Sequence, residues 1–391
     1  MSDAPTPSHA PGASPLDASS LDHDPSQTRV LVTGAGGFIG HHLVGYLKAK
    51  GYWVRGVDLK APEFEATAAD EFEILDLRRW DACLQAVLPA ADGGPIDHVY
   101  ALAADMGGMG FISANHSQIL HNNVLINTHT IEAARQAGVS RYFYTSSACV
   151  YPEHLQTTAD AAALKEADAY PAAPQDAYGW EKLFTELLCH YYTGDHGMET
   201  RVVRFHNVYG ELGTWEGGRE KAPAAMMRKT AYAKLLGGKE GDPSANGGTP
   251  TVEIWGDGEQ TRSFMHVDDC VEGVYRLMVS DYREPLNLGR DRMVTINELC
   301  DVAADAAGVA VEHEHVDGPM GVRGRNSDNA ELRRVLGWEP GIALEEGVAR
   351  TYRWIEGQLR DKLAADGRLP DAASAAGGDG ASVAPQSQPT V

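Results

Sequence analysis

The chain has 391 residues, 43% of them apolar, which suffices for one large α/β domain with a sizeable core and a smaller lobe. Its formal charge of -22 argues against nucleic acid or an anionic membrane as the main partner, although local Lys and Arg can still meet a phosphorylated substrate. Five scattered cysteines (Cys83, Cys149, Cys189, Cys270 and Cys300) form neither a disulfide framework nor a zinc pattern, so no metal is expected and a cytoplasmic, reducing location is.

Residues 1–28 carry no Lys or Arg and several Asp, Pro and Ser. They fit neither a secretory signal nor a transit peptide and are expected to be a disordered tail. Residues 364–391, rich in Ala, Gly, Ser, Pro and Gln, read as a second tail. No apolar run reaches membrane-spanning length, and no membrane partner is expected. Arg29–Thr33 is a short apolar run, read as a buried strand. A glycine-rich string follows, then a helical pattern through Leu43 and Leu47. Trp53–Val57 is a second strand, ending at Asp58. His98–Ala104 and Arg141–Ser147 are two more, separated by a helix over Asn122–Ala137. A helix over Ala177–Tyr192 precedes a strand at Thr200–Phe205. This alternation predicts an α/β fold with a doubly wound parallel Rossmann sheet.

Beyond Tyr209 the alternation fails. Helices are expected over Ala222–Lys234, Val267–Met278 and Ile296–Ala307, a loop over Lys234–Pro250 and a strand over Thr251–Trp255. The chain therefore divides into a nucleotide-binding domain, 29–210, and a smaller α/β substrate lobe, 211–363, with some exchange of elements between them.

Gly34-Ala35-Gly36-Gly37-Phe38-Ile39-Gly40 joins a strand to a helix. Glycine permits close approach of the backbone to a pyrophosphate, and the helix N-terminus offers N–H groups and a favourable dipole. Gly34, Gly36, Gly37, Phe38, Ile39 and Gly40 are the candidate dinucleotide contacts. Asp58 ends the second strand at the expected distance, where a carboxylate bonds ribose hydroxyls and repels a 2′-phosphate. NAD is expected over NADP, with Lys60 as the one feature favouring NADP. Asp76 either approaches the adenine or caps the next helix.

Tyr178 and Lys182 are four apart and share a helix face. A neighbouring ammonium can lower a phenol's pKa and make it a usable base, and Ser147, at a strand end, can bond the same substrate oxygen. The pair serves as hydride-transfer machinery and also contacts the cofactor. Cys149, two residues past that strand end, is either a small buried side chain or a separate proton-transfer group. The other four cysteines fall in apparent helices. Lys221, after Gly217-Gly218-Arg219-Glu220, is a solvated or phosphate-binding lysine, or an acid facing Cys149 across the substrate. Inversion at carbon takes a proton from one face and returns one to the other, and a thiolate and an ammonium suit those tasks.

Long strings carry a resemblance: Ala104-Asp105-Met106-Gly107-Gly108-Met109-Gly110-Phe111, Ser146-Ser147-Ala148-Cys149-Val150-Tyr151-Pro152-Glu153, Gly217-Gly218-Arg219-Glu220-Lys221-Ala222-Pro223 and Val322-Arg323-Gly324-Arg325-Asn326-Ser327-Asp328-Asn329. From Arg29 to Gly357 the chain resembles the extended short-chain dehydrogenase/reductase superfamily and, within it, the GDP-mannose 3,5-epimerase family. The resemblance implies that bound NAD oxidises carbon 4 of GDP-mannose, with Tyr178 as base. Cys149 and Lys221 then handle protons at carbons 3 and 5, giving GDP-L-galactose, or GDP-L-gulose when only carbon 5 inverts. It implies substrate contacts at Gly107, Ser147, Cys149, Asn207, Lys221, Gln260, Arg262 and Arg323, and a homodimer. Related 4-epimerases commonly have Thr at the Cys149 position. The Lys234–Pro250 stretch departs from the family as an insertion, read as a surface loop. Two other readings stand beside this one: another NAD-dependent nucleotide-sugar epimerase, for example a 4-epimerase or one acting on UDP- or dTDP-sugars, and a non-catalytic NAD-sensing scaffold. The retained Tyr178 and Lys182 argue against the scaffold.

Overall fold

The computed structural model describes residues 24–237 and 249–369. Most of both foreseen tails, and residues 238–248 of the foreseen loop, lie outside the described residues. Of the foreseen first tail, residues 24–28 are ordered against the fold. Asp24 caps a short 3-10 turn over Pro25–Gln27, and Thr28 is buried. At the other end, Leu369 packs against the core.

In chain order the first half comprises β1 (Arg29–Thr33), α1 (Phe38–Ala49), β2 (Trp53–Asp58), β3 (Glu71–Ile74) and α2 (Trp80–Ala86). It continues with β4 (His98–Ala101), α3 (Met109–Ala114), α4 (His116–Gln136), β5 (Arg141–Ser147), α5 (Ala177–His196) and β6 (Glu199–Phe205). Then come β7 (Asn207–Tyr209), α6 (Ala222–Leu236), β8 (Thr251–Trp255), β9 (Thr261–His266), α7 (Val267–Val279) and β10 (Leu286–Leu288). The chain closes with β11 (Met293–Thr295), α8 (Ile296–Ala307), β12 (Glu312–Val316), β13 (Gly324–Arg325), α9 (Ala330–Leu336) and α10 (Leu344–Ala365).

The main sheet has the order β10-β6-β5-β4-β1-β2-β3, and all its pairings are parallel. Parallel strands buried on both faces read as continuous apolar runs, which is why β1 and β5 were legible. Along β1 the side chains divide by alternation. Val30 and Val32 enter one core with Leu43 of α1 and Val274 of α7, while Leu31 enters the other with Ile131 of α4 and Cys189 of α5. β10 comes from the C-terminal stretch and extends this sheet beyond β6.

A third core, around Met227, Ile254, Leu299, Val348 and Tyr352, holds the C-terminal lobe together. There β9 lies between β11 and β13 and also pairs with β7, and β8 pairs with β12. The long α10 packs on α6 and α8. Its exposed face is polar, and the sequence reading did not anticipate it. Among the described residues no helix is long and apolar enough to cross a membrane.

Candidate active site

Strand order reverses between β1 and β4, which opens a crevice at the carboxyl ends of the strands. Thr33 Oγ1 pins its floor by accepting the Leu102 and Ala103 N–H groups, each at 3.2 Å. The first turn of α1 has no side-chain cap, so its N–H groups are left for an anion. A Cβ on Gly36 would lie 2.1 Å from the Lys60 carbonyl oxygen, and one on Gly40 2.0 Å from that of Gly34. Only glycine lets the turn close this tightly.

The crevice has a volume of about 620 Å³ and is lined by Gly34, Gly36, Gly37, Phe38, Asp58 and Asp76, among others. Ile39 packs into the core instead. Asp58 Oδ2 accepts the Gly36 N–H at 3.0 Å, which fixes the carboxylate at the crevice. Lys60 is turned to Glu63 at 3.1 Å, and Glu63 and Glu65 line the same crevice. Three carboxylates suit free ribose hydroxyls and oppose a 2′-phosphate. Arg78 grips Asp76 with two bonds, 2.8 and 2.6 Å, and holds its carboxyl below the usual range. The shape, the close-packed glycine turn and Asp58 fit a dinucleotide with an unphosphorylated ribose.

β5, which lies beside β4, ends at Ser147 on the carboxyl edge of the same sheet. Cys149 follows on a 3-10 turn whose N–H the Ser147 hydroxyl accepts at 3.2 Å. Asp176 starts α5 by accepting the Gly179 N–H at 2.9 Å. A Cβ on Gly179 would lie 2.2 Å from the Cys149 carbonyl oxygen, so glycine alone lets α5 lie against the thiol's turn. This contact brings Tyr178 beside Ser147 and Cys149. The Tyr178 phenol is buried, and burial raises its pKa well above the ordinary value; the Glu181 and Cys149 charges add to this, and the Ser147 hydrogen bond opposes it. The phenol is thus raised rather than lowered as expected, with burial the largest cause. Lys182 Nζ lies 5.4 Å from the centre of the Tyr178 ring and 5.0 Å from that of Tyr144.

Lys221 is the N-cap of α6. Burial lowers its pKa, and the charges of Cys149 and Cys270 pull it the other way, so lysine and thiol act on one another electrostatically. The loop carrying Gly107 closes on the lysine's own loop. Gly108 N–H donates to the Arg219 carbonyl at 3.0 Å, and the Arg219 guanidinium lies 4.0 Å over the Phe111 ring. Ser147, Cys149, Tyr178, Lys182 and Lys221 thus converge from β5, α5 and the start of α6.

The expected substrate contacts divide. Asn207 donates to the Ser263 carbonyl at 3.0 Å, and Gln260 is buried with its Nε2 on the Trp255 carbonyl. Arg262 donates to the carbonyls of Thr261, Met320 and Val322. Arg323 makes a two-bond pair with Asp257, 2.7 and 2.9 Å, at the surface. The guanidinium beside the thiol belongs to Arg325, whose Nη1 donates to Cys149 Sγ at 3.3 Å. Register explains this, since Arg325 pairs with Arg262 across β13 and β9. Gln156 completes the arrangement: its Oε1 accepts from Arg325 Nε and its carbonyl from the Arg323 and Gly324 N–H groups. Sequence reading missed both Gln156 and Arg325. The signal for Arg325 was its place in the same Arg-Gly-Arg string.

The NAD dependent epimerase/dehydratase family matches residues 30–289. GDP-mannose 3,5-epimerase 1 of Oryza sativa subsp. indica is 50% identical over 333 residues, 85% of this chain and 82% of that protein. GDP-mannose 3,5-epimerase of Arabidopsis thaliana is 49% identical over 338 residues, 86% of this chain and 84% of the relative. Among solved structures, the UDP-glucose 4-epimerase of Thermotoga maritima superimposes with a TM-score of 0.73 over 85% of this chain and all of its own; at 24% identity that likeness is one of fold.

Proposed function

The chain belongs to the NAD dependent epimerase/dehydratase family, and on that premise we propose that it converts GDP-D-mannose to GDP-L-galactose, with GDP-L-gulose arising when carbon 5 alone inverts. The observation that carries the reading is Cys149: a thiol between the Ser147–Tyr178 pair and Arg325, acting electrostatically on Lys221. Plain 4-epimerisation needs no such group.

NAD, when bound in the crevice, supplies a reversible hydride acceptor for carbon 4 of the hexose. Gly34, Gly36, Gly37 and Asp58 would hold it. Tyr178 takes the carbon 4 hydroxyl proton, with Ser147 bonded to the same oxygen and Lys182 as the nearby cation. A ketone at carbon 4 acidifies the hydrogens on carbons 3 and 5. Cys149 removes such a proton, and Lys221 returns one to the opposite face. Arg262 and Arg325 make the pocket positive, which suits a diphosphate. Reversal at carbon 4 leaves no net redox change.

The proposal includes a homodimer. Trp180, Phe184, Leu187 and Tyr191 are exposed along α5, and Leu120 is exposed on α4. Their spacing makes one helical stripe of the kind that two copies bury together. All five thiols are free, which supports a reducing, cytoplasmic setting.

Proton NMR of GDP-mannose incubated with the protein in deuterated water tests the activity. Deuterium at both carbons 3 and 5 with a GDP-L-galactose spectrum is the expected result. A folded, NAD-bound protein that exchanges neither hydrogen would refute the substrate assignment.

A further inference from the structure

Glu181 precedes the lysine of the Tyr178–Lys182 pair and is 0% exposed. A carboxylate so buried is costly unless it is paired and hydrogen-bonded. Its Oε1 accepts from Asn123 Nδ2 at 2.9 Å, and its Oε2 from Asn127 Nδ2 at 3.1 Å; both asparagines are buried on α4. Asn123 cannot offer its other end, because its Oδ1 already accepts the Asp105 N–H at 2.6 Å. Lys182 Nζ lies 3.8 Å from Oε1 and is the one cation within ion-pair range among the described residues. As oriented, both asparagine amides present N–H groups to the carboxyl and Lys182 supplies the opposite charge, an arrangement that suits an ionised Glu181.

The surroundings leave Lys182 as its counter-charge. From β5, Ser147 and the Tyr144 phenol face this group; from the turn, the Cys149 thiol, itself bonded to Arg325; from α5, Asp176 and Thr185. Burial holds the Glu181 carboxyl above its ordinary value, with Lys182 and Asn123 pulling the other way.

We propose that Glu181 is a positioning residue: its carboxylate, held by two asparagine amides, fixes the Lys182 ammonium beside the Tyr178 ring. The proposal rests on Tyr178 and Lys182 being the proton-handling pair of the reaction above. Glu181→Gln swaps the charge for an isosteric amide. Removing a negative charge makes the Tyr178 proton easier to lose.

In protein labelled with carbon-13 at the tyrosine Cζ, with the Tyr178 signal assigned from Tyr178→Phe, Tyr178 begins to titrate at lower pH in Glu181→Gln than in the parent. This measurement needs no substrate. In turnover of GDP-mannose, kcat falls about tenfold with KM unchanged, and the acid limb of the pH profile moves down. Glu181→Asp, which keeps the charge, restores the parent limb. Superimposable titrations and pH profiles for parent and Glu181→Gln overturn the proposal. So does a Glu181 carboxyl carbon that resonates as a protonated acid at neutral pH in the unmodified protein, a measurement that stands even if the variant does not fold. A parent protein that leaves GDP-mannose untouched counts against the substrate assignment alone, and the substrate-free titration still decides the role of Glu181.

Discussion

Ser146 and Ser147 are neighbours on β5, yet they found two opposite kinds of polar cluster. Ser146 donates to Glu186, which grips Arg204 with two bonds of 2.9 and 2.7 Å. Arg204 also reaches the Tyr151 hydroxyl and the Glu166 carbonyl, and this cluster is sealed from water. Around Ser147 the groups are half-met. Cys149 Sγ receives one donor, Arg325, and Lys221 makes no ion pair among the described residues. One strand and one helix support both clusters. Saturation builds a fixed scaffold; incomplete pairing leaves groups able to change protonation during a reaction.

The largest expected effect breaks the comparison at the thiol. Cys149→Ala should lower deuterium exchange about 10²- to 10⁴-fold, the range for one acid–base group, with urea unfolding unchanged. Arg204→Met should do the reverse at the other cluster, leaving Glu186 buried and uncompensated, and cost about 3–5 kcal/mol in the same unfolding experiment. Equal stability losses for both variants would dissolve the distinction. Next comes Arg325→Ala, which removes a charged donor and should cost about 10- to 100-fold in kcat/KM. Lys221 sharpens the picture through pH. Burial lowers its pKa, and the ammonium is the donor form, so activity should decline on the alkaline side below the pH at which an exposed lysine titrates, about tenfold per pH unit. An alkaline limb at the ordinary lysine value would count against that role. Arg323→Ala is the smallest: an exposed pair contributes about 0–1 kcal/mol, so kcat/KM and unfolding should change less than fivefold.

The legible parts of the site were local ones. The glycine turn, Asp58, Ser147, Cys149, Tyr178 and Lys182 each follow from a strand end or a helix repeat within a few residues. Arg325 did not, for two reasons. It meets Cys149 across 176 positions of sequence, and β13 is two residues long, too short for any periodicity. Alternation along a strand would have put Arg323 and Arg325 on one face. A bend at Val322–Arg323 precedes the strand and sends Arg323 out to Asp257. The short strands β7, β10 and β11 were invisible for the same reason as β13. Glu181 was masked differently, because a charged residue on a helix ordinarily reads as its wet side.

The placement of β10 has a consequence for how the protein is made. β6 is the edge of the main sheet until β10 covers it, and β10 ends at Leu288 of 391 residues. A growing chain on the ribosome therefore carries the whole nucleotide-binding half with one row of backbone groups still bare, and bare edges seek other strands. Translation products that stop before Leu286 would carry that bare edge and be the ones prone to strand-mediated aggregation.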